Sequence, residues 1–184
     1  MKLRIISGKL KGRYITLSDR CVRFRPTQEI VRQAVAEIIK NDIRNAVAAD
    51  ICAGSGAFGF ELISRGAGTV HFIEQDRVLA QKISDQAEKF AVGSQCRIIR
   101  EDVYGFVRRK AFAYDIIFYD PPYEDESLML AVPQLLKLLS LHGVLIYEHA
   151  ADRSAGDAAV NAPDFLMEPR QYGKTVVDFF RRRL

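Results

Sequence analysis

Between residues 46 and 150 the chain alternates short apolar runs with stretches of helical period. The runs are AVAADIC, TVHFIE, CRIIRE, YDIIFYD and GVLIYE. They show little polar alternation, as parallel strands covered on both faces require. The segments after Gly59, over Arg77–Phe90, over Val103–Arg109 and around Leu128–Leu139 read as helices. Leu79, Ile83, Ala87 and Phe90 share one face of the second, and Pro133 starts the second part of the last. Strands alternating with helices predict an α/β doubly wound domain with a mostly parallel sheet.

The two ends read differently. KLRIISGKLKGRYITL predicts two short strands around Gly8 and Gly12, a hairpin-like arm. RPTQEIVRQAVAEIIKN predicts a helix started by Pro26 and Thr27, with Ile30, Ala34, Ile38 and then Ile39 along one face. ADRSAGDAAVNAP is a loop, and DFLMEPRQYGKTVVDFFRRR reads as an antiparallel hairpin turning at Gly173 and closing a sheet edge. The expected division is an arm and first helix over 1–42 and the α/β domain over 43–184.

Composition narrows the class. The 184 residues suit one domain with a sizeable core, and 48% hydrophobic with 27% charged content is ordinary for a soluble globular protein. No apolar run approaches the roughly 20 residues that span a bilayer. The start MKLRIISGKLKGR has no apolar signal core, so a cytoplasmic location is expected. Cys21, Cys52 and Cys96 read as reduced, mostly buried small hydrophobes, and no Cys/His cluster has zinc spacing, so no metal is expected.

Charge changes the picture more. Residues 1–28 hold eight basic side chains and one acid, a local +7 that leaves −3 for the remainder of a chain with net +4. A second cluster, Arg181 to Arg183, lies near the carboxyl end. Basic ends on a slightly acidic body suit a docked polyanion.

The candidate chemistry lies at strand ends. In DICAGSGAFG, Gly54, Gly56 and Gly59 satisfy G-x-G-x-x-G, with Glu74 twenty residues past Gly54 at the end of the next strand. An acid there can accept from ribose hydroxyls. The spacing fits a nicotinamide cofactor as well as S-adenosylmethionine, but Asp50 would repel a pyrophosphate and attract sulfonium and ammonium charges. Asp102 offers a third acid, suited to an adenine amine or to a helix N-cap. YDIIFYDPPY ends a strand on Asp120, followed by Pro121, Pro122 and Tyr123. A carboxylate and a rigid carbonyl can orient the lone pair of a nucleobase amine, and an aromatic ring can stack on the base. Guanine, with donors at N1–H and at its amine, suits a carboxylate better than adenine, whose N1 is an acceptor.

RIISGKLKGRYI, RPTQEIVRQAV, DICAGSGAFGFELISRGA, FIEQD, YDIIFYDPPY and RQYGKTVVDFF together resemble the RsmD-like family of guanine-N2 methyltransferases of bacterial small-subunit ribosomal RNA. The resemblance runs in order over nearly the whole chain. It implies a class I methyltransferase (Rossmann-like) fold with S-adenosylmethionine as methyl donor. By position, Asp50, Ala53, Gly54, Gly56, Glu74, Asp102 and Asp120 would bind cofactor, and Asp120, Pro121, Pro122 and Tyr123 would hold the guanine. Lys9, Lys11, Arg13, Arg25 and Thr27 would meet RNA, within an assembled small-subunit particle, in a monomeric protein. The chain departs from the family at Ile51, Cys52 and Phe58, which alter packing beneath the loop, and at DQAEKF.

Three rivals share features with this reading. An adenine-N6 methyltransferase of DNA or RNA would use the same amine chemistry, although about forty amino-terminal residues leave a DNA enzyme little room for target recognition. A nicotinamide-dependent oxidoreductase leaves DPPY and the basic arm unexplained. A non-catalytic RNA-binding module would not need an acid facing an anionic partner.

Overall fold

The computed structural model describes residues 2–17, 29–108, 113–122, 125–151 and 162–183. Arg25, Thr27 and Tyr123, and with them Pro26, Cys21 and the stretch 152–161, lie outside the described residues.

The arm forms two short strands, β1 (Lys2–Arg4) and β2 (Tyr14–Thr16), paired antiparallel with Leu3 opposite Ile15. Two helices follow, α1 (Glu29–Ile38) and the single turn α2 (Lys40–Ile43). The main body then alternates as expected: β3 (Val47–Ile51), α3 (Ala57–Arg65), β4 (Thr69–Ile73), α4 (Arg77–Lys89), β5 (Cys96–Ile99), α5 (Val103–Arg108) and β6 (Tyr114–Tyr119). A 3-10 turn (Glu126–Ala131) leads into α6 (Val132–Leu136), and Pro133 lies in the first turn of α6. The chain closes with β7 (Leu139–Ala150), β8 (Phe165–Tyr172) and β9 (Thr175–Arg182).

The seven-stranded sheet has the order β5-β4-β3-β6-β7-β9-β8. The first five strands are mutually parallel, while β9 runs antiparallel to β7 and β8. From β3 the chain winds outward through β4 to β5, then crosses to β6 on the other side of β3. The carboxyl ends of β3 and β6 therefore flank the point where the winding reverses, where open α/β sheets bind ligands. The hairpin turns at Gly173 (φ +63), with Tyr172 opposite Thr175.

Two apolar layers sandwich this sheet. One joins Val70, Phe72, Ile116 and Phe118 to α1, α3, α4 and the arm; the other joins Ile117, Tyr119 and Leu145 to α5 and α6. Two details of the sequence reading need correction. Helix α3 begins at Ala57, ahead of Gly59. On α1 the buried stripe is Val31 and Val35, continued just past the helix by Ile39, which is buried as expected, while Ile30 is 72% exposed and Ile38 45%. Both stripes have i, i+4 spacing. The packed one also buries Arg32, whose guanidinium donates to the Arg4 carbonyl (2.9 Å) and faces the Glu61 carboxylate. Cys52 and Cys96 are free thiols and only half-buried. Among the described residues no helix is long and apolar enough to cross a membrane.

The arm is locked to α3. The Ile6 amide donates to Glu61 Oε2 (2.8 Å), the Ser7 amide to Glu61 Oε1 (3.1 Å) and the Leu10 amide to Ser64 Oγ (2.9 Å). Gly8 has φ +79, and a Cβ there would stand 1.8 Å from the Ser64 carbonyl oxygen. Only glycine permits so close an approach.

Candidate active site

The loop leaving β3 turns through three residues with left-handed backbone: Cys52 (φ +60), Gly54 (φ +55) and Gly56 (φ +71). Cβ at Gly54 would meet nothing nearer than the Cys52 carbonyl oxygen at 3.8 Å, so the loop's outer side is open. Gly59 serves packing instead, because a Cβ there would lie 2.3 Å from the Phe72 ring. Ala53 stabilises the turn: its amide donates to the Ile73 carbonyl and its carbonyl accepts from Gly56 (2.7 Å).

The acids expected at strand ends all stand near this loop. Glu74, just past β4, accepts the Gly54 amide at Oε2 and the Asp76 amide at Oε1, both at 2.8 Å. Burial pushes its carboxyl up, opposed by those same amide hydrogen bonds. Asp50 lies within β3, 2% exposed, and its Oδ2 accepts the Gly59 amide at 2.9 Å. Burial pushes that carboxyl up to about 8, and the Asp120 and Glu74 charges add to the effect. Asp102 is exposed and accepts the Gly105 amide at Oδ1 (2.7 Å), which makes it the N-cap of α5.

Asp120 stands at the end of β6, half-buried, its amide 3.4 Å from the Ile51 carbonyl. Ile51 pairs with Tyr119 in the parallel ladder, so the glycine loop and the Asp120-Pro121-Pro122 corner leave neighbouring strand ends. Pro121 is buried, and the Pro122 carbonyl accepts the Asp125 amide (3.3 Å). Asp50, Ala53, Gly54, Gly56, Glu74 and Asp120 thus stand at or just past the carboxyl ends of the adjacent strands β3, β4 and β6, and Asp102 follows β5, the next strand of the sheet.

The basic candidates of the arm lie away from those strand ends. Lys9 Nζ donates to Gln95 Oε1 (2.5 Å), and Lys11 is exposed. Arg13 donates to the Lys89 and Phe90 carbonyls at the carboxyl end of α4 and stacks on the Phe90 ring, 4.5 Å from its centroid. This is the geometry of a helix C-terminal cation.

Glu148 is a site candidate absent from the sequence reading. Tyr119 pairs with Tyr147, so Glu148 is level with Asp120 on the adjacent strand and is 3% exposed. The signal was available: GVLIYE closes an apolar run with an acid just as TVHFIE and YDIIFYD do. His149 next to it faces the other side of the sheet, with Nε2 2.9 Å from the buried Asp178 Oδ2.

The site's chemistry discriminates among ligands. The functional side chains that the described residues place here are carboxylic acids, and the rest is backbone. Such a set suits a cationic ligand with hydroxyls and opposes a pyrophosphate.

Known proteins agree with this architecture. The small-subunit ribosomal RNA methyltransferase D of Escherichia coli K12 is 32% identical over 122 residues, 66% of this chain and 61% of that protein. The chain's match thus spans about three fifths of that relative's length. YlbH of Bacillus subtilis is 26% identical over 188 residues, covering 98% of this chain and all of that one. The solved structure of yhhF from Escherichia coli superposes with a TM-score of 0.85 at 24% identity, covering 100% of this chain and 99% of that one. The fold is therefore the class I methyltransferase arrangement that the motifs implied. A family model described as Conserved hypothetical protein 95 matches residues 3–181, and the chain belongs to that family, the RsmD-like one its motifs resemble.

Proposed function

We propose that this protein transfers a methyl group from S-adenosylmethionine to the exocyclic N2 amine of a guanine in small-subunit ribosomal RNA. The observation that carries the reading is the adjacency of β3 and β6. It brings an open glycine loop ringed by acids and a proline-stiffened acidic corner to one reversal point of the sheet. The names of the curated relatives, ribosomal RNA methyltransferases, supply the substrate class.

S-adenosylmethionine, when bound, supplies an electrophilic methyl on a cationic sulfur. Glu74 and the Gly54 and Gly56 backbone would hold its ribose side and Asp102 its adenine side, and Asp50, whose buried carboxyl is pushed up to about 8, would ionise beside its charged centre. Asp120 would accept hydrogen bonds from the guanine amine and N1–H and so orient the nitrogen lone pair for attack, and the proton that the amine sheds on methylation would leave to solvent. Pro121 and Pro122 would keep that acceptor set stiff, and Tyr123 would supply an aromatic ring for the base. Catalysis on this reading is positioning and charge stabilisation more than strong base chemistry. Residues 1–42 would serve as the docking arm, with Lys9, Lys11, Arg25 and Thr27 meeting RNA and Arg13 holding the arm to the end of α4. The enzyme works as a cytoplasmic monomer on an assembled small-subunit particle.

The test is mass mapping of methylated guanines in ribosomal RNA from cells with and without the protein, paired with Asp120→Ala. A guanine that loses its N2-methyl in both cases, with S-adenosylhomocysteine binding intact in the variant, supports the reading. A lost adenine methylation, or full turnover by Asp120→Ala, overturns it.

A further inference from the structure

Two phenols from different elements donate to consecutive carbonyls on the return limb of the acidic corner. Tyr119, the last residue of β6 and the neighbour of Asp120, donates to the Leu128 carbonyl at 2.9 Å. Tyr104, in the first turn of α5 two residues past the Asp102 cap, donates to the Ser127 carbonyl at 2.5 Å. The described residues of that limb bond to one another. Asp125 donates its amide to the Pro122 carbonyl (3.3 Å) and accepts the Ser127 amide (3.0 Å) and hydroxyl (2.6 Å) at Oδ1. A hydrogen-bonded path thus runs from Ser127 through Asp125 to Pro122.

The two tethers differ in what their burial demands. Tyr119 is fully buried, so its hydroxyl needs a protein partner, and its ring stacks on Tyr147 at 5.6 Å. Tyr104 is only half-buried, and its hydroxyl could turn to water at little cost. That it reaches across 23 positions to a carbonyl of this limb is a choice of geometry over solvent.

We propose that Tyr104 is a positioning residue that ties the cofactor wall to the base-holding corner, acting through Ser127 and Asp125 on Pro122, with Tyr119 as its fixed counterpart. The proposal rests on the methyl-transfer reading of the site. It implies an order of events: cofactor bound beside Asp102 steadies the first turn of α5, and through Tyr104 steadies the corner that receives the base.

The test compares wild type, Tyr104→Phe and Tyr119→Phe. Hydrogen exchange of the Asp125, Ser127 and Leu128 amides is followed with and without S-adenosylhomocysteine, alongside kcat and KM for ribosomal RNA from cells lacking the protein. In the wild type, S-adenosylhomocysteine is expected to slow exchange at these amides, and in Tyr104→Phe the slowing is lost. Tyr104→Phe should keep its S-adenosylhomocysteine affinity and melting temperature while kcat/KM for RNA falls about three- to tenfold, the size of one neutral hydrogen bond. Tyr119→Phe, which removes a buried partner, should lower the melting temperature as well. The proposal is overturned if the cofactor product leaves exchange at these amides unchanged in the wild type, or if Tyr104→Phe responds as the wild type does. A wild type that methylates no guanine but still shows the Tyr104-dependent slowing would remove the functional reading and leave the tether standing.

Discussion

Asp50 caps α3 from outside the helix: its Oδ2 accepts the amide of Gly59, the third residue of the helix, at 2.9 Å. The local N-cap, Gly56, has no side chain to do this, so a strand carboxyl nine positions before Gly59 takes the role. Burial moves that carboxyl from its ordinary 3.8 up to about 8, with the Asp120 and Glu74 charges adding. A folded pKa above the unfolded one means the folded protein holds the extra proton. The stability from this group is then fully present below about pH 4 and is lost as pH rises toward 8. Asp50→Asn keeps an acceptor for Gly59 without a charge, so its denaturation midpoint should vary less with pH between 4 and 8 than the wild type's. Asp50→Ala removes the acceptor and should cost about 1 kcal/mol or more at every pH. Urea titrations across that range check both.

Gly8 sets how closely the arm lies on α3. With φ +79 and a Cβ position 1.8 Å from the Ser64 carbonyl oxygen and 2.3 Å from its carbon, an alanine there meets backbone that cannot rotate away. Gly8→Ala should destabilise by about 2–3 kcal/mol, at the upper end of overpacking penalties. It should also speed exchange of the Lys9 and Leu10 amides, which donate to Ser64 O and Oγ. Exchange confined to global unfolding in the variant would show that the arm stays docked.

The parallel strands were legible because a short apolar run without polar alternation suits little besides a strand covered on both faces. The acids that close those runs were legible too, since Glu74 and Asp120 follow strands β4 and β6, which flank β3 on either side. What stayed hidden depends on partners far along the chain. The two stripes of α1 are equally apolar, and what separates them is Arg32, whose burial is eased by the accepting Arg4 carbonyl and by the Glu61 and Glu29 charges. The Asp50 cap and the Tyr104 tether are likewise pairings across folded elements. Arg13 illustrates the same limit: its charge was plain, but the helix end it serves, at Lys89 and Phe90, lies more than seventy positions away.

Arg13 and Lys11 should separate stability from RNA affinity. Arg13 satisfies carbonyls at the end of α4 and stacks on Phe90. Arg13→Ala should therefore lower stability by about 1 kcal/mol. Lys11 is exposed, so Lys11→Ala should leave the melting temperature unchanged. If Lys11 meets phosphate, the same variant reduces the slope of log affinity against log salt by about 1. Thermal melts and RNA titrations at three salt concentrations resolve the two roles. An unchanged slope for Lys11→Ala would take that residue off the RNA surface.

Glu61 joins the arm, α1 and α3 through one fully buried carboxylate. It accepts the Ile6 amide at Oε2 and the Ser7 amide and Arg65 Nε (2.8 Å) at Oε1, while its charge offsets the burial of Arg32. Removing it strands buried donors and a buried cation together, so Glu61→Ala should cost about 3–5 kcal/mol, the range for breaking a buried ion pair. Glu61→Gln should also destabilise, because its amide nitrogen would face either the Ile6 amide or the Ser7 and Arg65 donors. Replacing both charges, Glu61→Met with Arg32→Leu, should recover only part of the loss. The Arg32 penalty disappears in the double variant, but the Ile6 and Ser7 amides and Arg65 Nε still lack their acceptor. A double-variant cycle in urea measures the division: full recovery would mean the charge pair is the whole interaction. A shortfall of about 1–3 kcal/mol would assign the remainder to the donors that Glu61 leaves behind, the two arm amides and Arg65 Nε.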